Sequence, residues 1–425
     1  MSSKKLNMLV LGGGGREHAI CWKLSQSERI NNLFCIPGNA GIEPVAKTIP
    51  DINITDFNRI KDFSFENNID IIFVGPELPL VKGIKNFFEN TKVKVFGPSL
   101  QAAQLEGSKI FTKNFLSKYN IQTPKYNTFF SSDDAIYFIS SIKKYPVVIK
   151  ADGLAAGKGV MIVSNEHEAV NCIKDMMECR KFKSAGEKIV IEEFISGKEL
   201  SYELVVDGKN YVDLMPSQDY KKAFDQDLGL NTGGMGNIAP PPWLSCELKN
   251  KIESEVVKKI VSSIVSEGIH FSGILFIGMI VSSSIAQVLE MNVRLGDPEA
   301  QVVLPLLKSD LLTTVEMVLN GEIEKLKLEW LDKYATCVVL ASRGYPGEYE
   351  KGKEIKGLNE AESMDGVFVF HAGTAYEDGK YYTNGGRVLD VVGLGKTKDE
   401  SIKHAYEGVS KIHFDGMFYR KDIGL

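Results

Sequence analysis

VVIKADGLAAGKGVMIV, residues 147–163, decides how the middle of this chain folds. An apolar run ends at Lys150, a loop of glycine and alanine carries Lys158, and a second apolar run follows. Both runs have the length and β-branched content of strands, so the pattern predicts a strand, a loop and a second strand. Glycines let main-chain amides approach anionic oxygens, and the two lysines add positive charge. We therefore predict a mobile flap over the phosphates of a nucleotide.

A P-loop is the obvious alternative for a glycine-rich phosphate site. That motif requires four residues between its glycines and a Ser or Thr after its lysine. Here Gly153 and Gly157 enclose three residues, and Gly159 follows Lys158. The spacing therefore excludes a P-loop.

Composition and charge limit the class of protein. The 425 residues are 44% hydrophobic and 25% charged, which is typical of a chain with several globular domains. A net charge of -5 without a long basic run argues against nucleic acid or a membrane as a partner. The six cysteines form no C-x-x-C pair, and no segment is long and uncharged enough to span a bilayer. We expect a cytoplasmic monomer that acts on small molecules.

The first hundred residues repeat a pattern of strand, glycine turn and helix. The apolar runs cover residues 6–11, 32–36, 70–74 and 93–96. Such alternation predicts a parallel sheet with helices on both faces and a ligand rim at the carboxyl ends of its strands. A dinucleotide fingerprint fits the first turn poorly, because the second strand ends in Ile36-Pro37-Gly38-Asn39 and not in an acidic residue. A sugar phosphate at the helix N-terminus is the simpler ligand.

Two later segments carry polar groups in strand patterns. Glu290 and Asn292 are two positions apart, so their oxygens share one strand face and suit Mg²⁺. Arg294 continues that face if the strand persists, and a solvated face is the weaker interpretation because the neighbouring residues are apolar. In IEEFISGKEL, residues 191–200, main-chain groups can read a purine edge and Glu199 a ribose hydroxyl; an ordinary edge strand is the alternative. The long loop at residues 217–243 has no strand pattern, which indicates a functional loop.

Short motifs follow one another along the chain: GGGGREHA, PGNAG, GPELPLVKG, AAQLEGSKIFTKNFL, VIKADGLAAGKGV, IEEFISGKE, NTGGMG, RLGDPE, RGYPG, HAGT, TNGGRVL and YRKDIG. Any one of them occurs elsewhere, but their joint order and spacing are specific. Together they resemble the phosphoribosylamine–glycine ligase (glycinamide ribonucleotide synthetase) family of ATP-grasp enzymes. The resemblance implies a ligase of purine biosynthesis that joins 5-phosphoribosylamine and glycine and converts ATP to ADP and phosphate.

The resemblance also implies a set of site residues. The ATP contacts are Lys109, Lys150, Gly157, Lys158, Gly159, Glu192, Glu193, Phe194 and Glu199. The ligands of Mg²⁺ or Mn²⁺ are Glu290 and Asn292. The contacts to 5-phosphoribosylamine and glycine are Gly13, Gly14, Arg16, Glu17, His18, Asn39, Glu77, Asp219, Lys221, Asn231, Thr232, Gly233, Gly234, Met235, Arg294 and Asp297. The catalytic residues are Lys150, Arg294 and Asp297.

The implied fold is a multidomain α/β and α+β chain in four units. These are an N-terminal Rossmann-like parallel-sheet domain at 1–104, an ATP-grasp large subdomain at 105–125 and 191–326, a small subdomain with the flap at 126–190, and a C-terminal α+β cap at 327–425. One departure stands out. Tyr220-Lys221-Lys222 occupies the place where the family commonly has His-Lys-Arg.

Chemistry suggests the mechanism, because a carboxylate is a poor electrophile and glycine must first become an acyl phosphate. His18 then serves either as a proton acceptor from the amine or as a hydrogen-bond donor that positions it. Three alternatives remain at this point. They are another ATP-grasp ligase of the biotin or aminoimidazole carboxylase type, an NAD(P) dehydrogenase and a non-catalytic nucleotide-binding protein.

Overall fold

The computed structural model describes residues 4–155 and 159–425. The chain begins with a five-stranded sheet made of β1 (Leu6–Gly12), β2 (Ile30–Pro37), β3 (Lys47–Thr48), β4 (Ile71–Val74) and β5 (Lys94–Phe96). The accompanying helices are α1 (Gly15–Ser25), α2 (Phe57–Glu66), α3 (Glu77–Val81) and α4 (Ile84–Phe88). The strand order is β3-β2-β1-β4-β5, and all pairs are parallel. The predicted parallel sheet is confirmed.

The strand order reverses at β1, which lies between β2 and β4. Open parallel sheets bind ligands at such a reversal, outside the carboxyl ends of the strands. Gly12 ends β1 with φ at +122°, a conformation that glycine adopts without strain. A side chain at Gly13 would overlap the carbonyl oxygen of Gly38, so the turn after β1 packs closely against the turn after β2.

Two short helices, α5 (Gln104–Gly107) and α6 (Lys109–Lys118), lead into a small antiparallel sheet. Its strands are β6 (Tyr126–Phe129), β7 (Val147–Ala151), β8 (Val160–Val163) and β9 (Ile189–Glu193), in the order β6-β9-β7-β8. Helices α7 (Ser132–Ser141) and α8 (Glu166–Ile173) cover it around a core that includes Ile149 and Ile191. The predicted strands on either side of the flap therefore pair with each other, and the small sheet extends to residue 193 because β9 belongs to it.

The next part of the chain forms a larger antiparallel sheet. The strands from residue 198 to residue 292 are β10 (Lys198–Asp207), β11 (Tyr211–Asp213), β12 (Gln218–Asp219), β13 (Lys222–Phe224), β14 (Leu228–Asn231), β15 (Gly236–Ala239), β16 (Ser272–Ser282) and β17 (Ile285–Asn292). The order β11-β10-β16-β17 makes a four-stranded sheet. The helices are α9 (Cys246–Ile252), α10 (Lys258–Ser266), α11 (Glu299–Leu306) and α12 (Leu311–Asn320). A π-helical turn joins α9 to α10, so the two form one continuous helix.

The segment at residues 217–243 is not the structureless loop that its composition suggests. It contains the hairpin β13–β14 and the short strands β12 and β15. β15 pairs with β18 of the C-terminal unit, which completes the backbone hydrogen bonding of a polar, glycine-rich stretch. The sequence pattern missed these strands because each has only two to four residues.

The C-terminal unit is a sheet covered by a helix. Its elements are β18 (Tyr334–Ser342), β19 (Glu354–Ile355), β20 (Val367–His371), β21 (Thr374–Glu377), β22 (Lys380–Thr383), β23 (Arg387–Gly395), β24 (Met417–Phe418), α13 (Leu358–Glu362) and α14 (Lys398–Val409). The sheet order is β12-β15-β18-β23-β20. Two strands from the middle of the chain thus belong to the C-terminal sheet. Within the described residues, no helix has the length and apolar character needed to cross a membrane.

Strand β23 and helix α14 approach each other closely at Gly393. A side chain there would overlap main-chain atoms of Ser401 and Ala405. We expect Gly393→Ala to lower the free energy of unfolding by about 2–3 kcal/mol, because a methyl group forced into a packed interface shifts the backbone. Urea denaturation measures this value. The matched control is Gly347→Ala in an exposed turn, and equal stability of the two variants would contradict the packing at Gly393.

Candidate active site

A cleft between α5, α6, the small sheet and β17 brings together five predicted site residues. The cavity is lined by Lys109, Lys150, Glu192, Glu290 and Asn292. Lys109 is the first residue of α6, and its ammonium donates to the carbonyl oxygen of Gly153 at 3.0 Å. Burial lowers the pKa of Lys109, while Glu290 opposes that shift. The start of the flap is therefore held next to the lysine at the N-terminus of α6.

Asp152 strengthens this link between the flap and α6. Its carboxylate accepts hydrogen bonds from the Ser108 hydroxyl at 2.9 Å and from the Ile110 amide at 3.0 Å. A carboxylate at a helix N-terminus satisfies free amides and interacts favourably with the helix dipole. Gly159, at the far end of the loop, is buried, and the predicted ATP contacts Gly157 and Lys158 lie outside the described residues.

Glu192 joins two lysines in the buried part of the cleft. Its carboxylate lies 2.9 Å from the Lys150 ammonium and 3.1 Å from that of Lys113. Burial lowers the pKa of Lys113 to about 8, although Glu192 stabilises its charge. The sequence analysis missed Lys113, which lies four positions after Lys109 and so on the same face of α6.

Two further predicted nucleotide contacts follow Glu192 along β9. The Glu193 carboxylate accepts the amide of Lys125 at 2.9 Å, which ties β9 to the start of β6. Phe194, the residue after β9, is 36% exposed. Both residues directly follow Glu192, which lines the cleft.

Lys221 lies between two carboxylates on β10 and β17, two strands that β16 separates. Its ammonium is 3.2 Å from Glu290 and 3.7 Å from Glu199. Burial disfavours the charge of Lys221, but Glu290 and Glu199 raise its pKa well above the usual range. In return Lys221 is the main cause that holds the pKa of Glu290 at about 2. The Glu290 carboxylate is thus ionised, and Lys221 lies next to the residues predicted to bind the metal and the ribose.

Arg294 follows β17 and is held by two carboxylates. One guanidinium nitrogen lies 2.8 Å from Glu106 and another lies 3.4 Å from Glu77. Glu106 also accepts the amide of Val293 at 2.8 Å, and burial raises its pKa to about 7. Glu77 begins α3 after β4, so Arg294 connects the end of β17 to the rim of the N-terminal sheet.

The glycine turn of the N-terminal sheet meets the chain just after Arg294. Glu17 accepts the Gly14 amide at 2.7 Å and pairs with Arg16 at 2.6 Å. Arg16 in turn donates to the carbonyl oxygen of Leu295 at 3.1 Å. A side chain built at Gly14 would lie 3.4 Å from Asp297. The predicted sugar-phosphate turn and the predicted glycine site therefore share a boundary.

The backbone of one residue in the C-terminal unit, His371, contacts two residues of this rim. The His371 amide donates to Nδ1 of His18 at 2.8 Å, and the His371 carbonyl accepts from Asn39 at 2.6 Å. Burial, with a smaller effect of His371, lowers the pKa of His18 to about 3. His18 is therefore a neutral ring that carries its proton on Nε2 and is a weak base near neutral pH.

The NTGGMG loop is fixed from both sides. Arg387 pairs with Asp297 at 3.0 Å and donates to the carbonyl oxygens of Gly233 at 2.9 Å and Asp297 at 2.8 Å. Thr232 donates its amide to the Lys221 carbonyl at 2.8 Å.

Three other predicted residues complete this loop and its base. Met235 is fully buried, Asp219 lies against Gly234, and Asn231 ends β14 opposite Lys222. Burial raises the pKa of Asp219 well above its usual range. The loop and the turn at Asp297 thus form one wall of the site.

Sequence reasoning missed four residues that organise the site, namely Glu106, Lys113, His371 and Arg387. Each stands in or beside a motif that was noted, since Glu106 precedes GSK, His371 opens HAGT and Arg387 belongs to TNGGRVL. The signal that could have identified them is a charged or titratable residue in or beside a glycine-containing motif. Their partners are distant in sequence, so no local pattern identifies the contacts.

Comparison with known proteins agrees with this arrangement. The phosphoribosylglycinamide synthetase models match in order, with the N domain at 6–106, the ATP-grasp (A) domain at 107–300 and the C domain at 335–425. Phosphoribosylamine–glycine ligase of Caldanaerobacter subterraneus subsp. tengcongensis is 48% identical over 418 residues, which cover 98% of this chain and 99% of that protein.

Solved structures support the same relationship. The crystal structure of phosphoribosylamine–glycine ligase from Thermotoga maritima has a TM-score of 0.84 and 35% identity, covering 98% of this chain and 100% of that chain. The biotin carboxylase domain of Hydrogenobacter thermophilus 2-oxoglutarate carboxylase has a TM-score of 0.76, with 97% of this chain and 91% of that chain covered, but only 16% identity. That second likeness is one of fold. The family predicted from the motifs is confirmed, and the chain belongs to the phosphoribosylglycinamide synthetase family of ATP-grasp ligases.

Proposed function

We propose that this chain joins 5-phosphoribosylamine to glycine in purine biosynthesis, forming glycinamide ribonucleotide while ATP becomes ADP and phosphate. The observation that carries the proposal is the meeting of two half-sites. The phosphate and metal residues on α6, β7 and β17 are continuous, through Arg294, with the glycine turn of the N-terminal sheet. Such continuity suits a reaction that passes an activated group from a nucleotide side to a sugar side.

For ATP, we assign Lys109 and Lys150 to the phosphates and the segment from Glu192 to Phe194 to the adenine edge. Glu199 accepts from the ribose. The contacts of Lys109 and Asp152 with the base of the flap support this assignment, because closure of the loop would then cover phosphates bound at Lys109. Lys113 stabilises the charge of Glu192 and so keeps β9 next to Lys150.

Mg²⁺ fits the donor set that β17 offers. Glu290 supplies an ionised carboxylate and Asn292 an amide oxygen, both toward the cavity that Lys109 and Lys150 line. Magnesium commonly takes one or two protein oxygens and completes its shell with phosphate and water, and Mn²⁺ accepts the same ligands. When bound, the ion would neutralise the charge on the transferring phosphate.

For glycine, we assign the carboxylate to Arg294, with Asp297 close to the amino group. For 5-phosphoribosylamine, we assign the phosphate to the turn at Gly13 and Gly14. Its sugar lies toward His18 and Asn39, and the loop at residues 231–235 closes the other side. The juxtaposition of Gly14 with Asp297 supports this arrangement, since the amine must reach the activated carboxyl group.

The reaction needs two displacements. A carboxylate oxygen of glycine attacks the terminal phosphorus of ATP, the bond to ADP breaks, and glycyl phosphate forms. The amine then attacks the carbonyl carbon, phosphate leaves, and the nitrogen loses one proton. Lys150 and Arg294 hold the reacting groups in place, so that positioning and charge carry the catalysis. His18 donates a hydrogen bond from Nε2 and orients the sugar substrate, because a ring with a pKa near 3 is a poor proton acceptor.

The units predicted from the sequence are proposed as functional units too. The N-terminal domain holds the sugar substrate, and the two ATP-grasp subdomains hold ATP. The C-terminal unit contributes the Arg387 side chain and the His371 backbone to the site. We propose that the enzyme is a monomer in the cytoplasm. Its six cysteines are all free thiols, as a reducing compartment requires.

Substrate dependence tests the function directly. We expect ATP hydrolysis to ADP only when glycine and 5-phosphoribosylamine are both present, with glycinamide ribonucleotide formed in equal amount. Mass spectrometry of the product and a coupled ADP assay measure the two quantities. ATP consumption with bicarbonate in place of glycine would instead identify a carboxylase and contradict the proposal.

The metal assignment predicts the effect of Glu290→Ala. We expect kcat to fall by about a hundredfold or more at ordinary Mg²⁺, since several kcal/mol of charge stabilisation are lost. The fold should persist, because the Glu290 side chain is 34% exposed and contributes no core packing. Glu255→Ala is the control, because Glu255 is exposed in the turn that joins α9 to α10. Near-normal activity of Glu290→Ala with an unchanged Mg²⁺ dependence would rule out this ligand.

A further inference from the structure

A C-terminal segment, residues 418–424, contacts the hairpin β13–β14 and Tyr220 before it. Gln226 and Asp227, at the tip of the hairpin, have φ values of +59° and +55°, in the left-handed region that residues other than glycine adopt infrequently. The Gln226 amide donates to Asp422 at 2.8 Å, and the Lys421 amide donates to Asp225 at 2.7 Å. The C-terminal segment therefore supplies the contacts that fix this tip.

Arg420 is the centre of these contacts and is only 1% exposed. Its guanidinium binds Asp422 through two parallel hydrogen bonds of 2.8 Å each. It also donates to Asp227 at 2.8 Å and to the Lys222 carbonyl at 3.2 Å, and it lies 5.2 Å from the ring centroid of Tyr220. The bidentate pairing with a carboxylate is particular to arginine, and the guanidinium also suits a cation–π contact.

Lys221 lies in the short segment between β12 and β13, next to the residues that Arg420 contacts. Tyr220 and Lys222, which Arg420 contacts, flank Lys221 on both sides. The Tyr220 hydroxyl accepts the amide of Gly424 at 3.1 Å, so this tyrosine is fixed by the C-terminal segment at two points. The Lys221 side chain extends to Glu290 and Glu199.

We propose that Arg420 is a positioning residue for the nucleotide and metal site and acts through Lys221. This inference rests on the proposed function, which makes Glu290 a metal ligand and Glu199 a ribose contact. Lys221 places one positive charge between these two carboxylates. Without it, two negative charges would face the phosphates of ATP. Arg420 therefore determines nucleotide affinity although it touches neither ATP nor metal.

A double-mutant cycle tests whether Arg420 acts through Lys221. The variants are Arg420→Met, Lys221→Met and the double variant, and the quantity is the dissociation constant of ATP with Mg²⁺, measured by calorimetry on the full chain. We expect each single change to raise this constant about tenfold. The double variant should match Lys221→Met within about twofold, because residues that act through one contact are not additive.

Additive effects in the double variant would overturn the proposal, since Arg420 would then act on the fold and not on Lys221. The control is Lys421→Met, at an exposed neighbouring side chain, and it should leave the constant unchanged. Arg420→Lys keeps a charge over Tyr220 but loses the paired bonds to Asp422, so it should restore part of the affinity. Unchanged affinity in Arg420→Met would also contradict the proposal.

A further variant and a product assay of the wild-type chain keep the test decisive. If Arg420→Met does not fold, Asp422→Asn weakens the same anchor from a partly exposed position and should raise the constant by a smaller factor. Normal affinity in a folded Asp422→Asn variant would then count against Arg420. Nucleotide binding does not require turnover, so failure of this inference differs from failure of the proposed function, which appears as wild-type chain that makes no glycinamide ribonucleotide.

Discussion

The ion pairs of Arg294 hold the active site together. One guanidinium meets Glu106 from the helix before α6 and Glu77 from the rim of the N-terminal sheet. The Arg294 and Glu106 side chains are 16% and 5% exposed, so loss of either partner would leave a poorly solvated charge, at a cost of about 3–5 kcal/mol. The end of β17 therefore cannot separate from the N-terminal domain without breaking these pairs. The turn at Asp297, three residues after Arg294, is held in place with it.

Charges alternate outward from Arg294 in both directions. Toward the proposed nucleotide side, Glu290 faces Lys221, and Glu192 lies between Lys113 and Lys150. Toward the proposed sugar side, Asp297 faces Arg387. Because each charge is balanced by a neighbour, the site is organised before any substrate binds. The C-terminal unit contributes Arg387, the backbone of His371 and the segment around Arg420 to this arrangement. Its sheet also includes β15 from the middle of the chain.

Local patterns in the sequence predicted much of this structure. The parallel sheet follows from repeated strands and glycine turns, the paired strands of the flap from two apolar runs, and the shared face of Glu290 and Asn292 from strand alternation. The motif resemblance predicted the family. Local patterns could not reveal β15 as a strand of the C-terminal sheet, or the pairing of Glu106 with Arg294, which are far apart in the sequence. Such contacts depend on how domains pack, and neither periodicity nor turn chemistry reports that packing.

The central claim is that glycine receives the phosphoryl group directly, because the cleft offers lysines and oxygen ligands for transfer between bound substrates. The most direct test uses glycine labelled with ¹⁸O in its carboxylate. One labelled oxygen stays with phosphorus when the amine displaces phosphate, so the account predicts inorganic phosphate that carries a single ¹⁸O atom. Unlabelled phosphate, released while glycinamide ribonucleotide still forms, would contradict it.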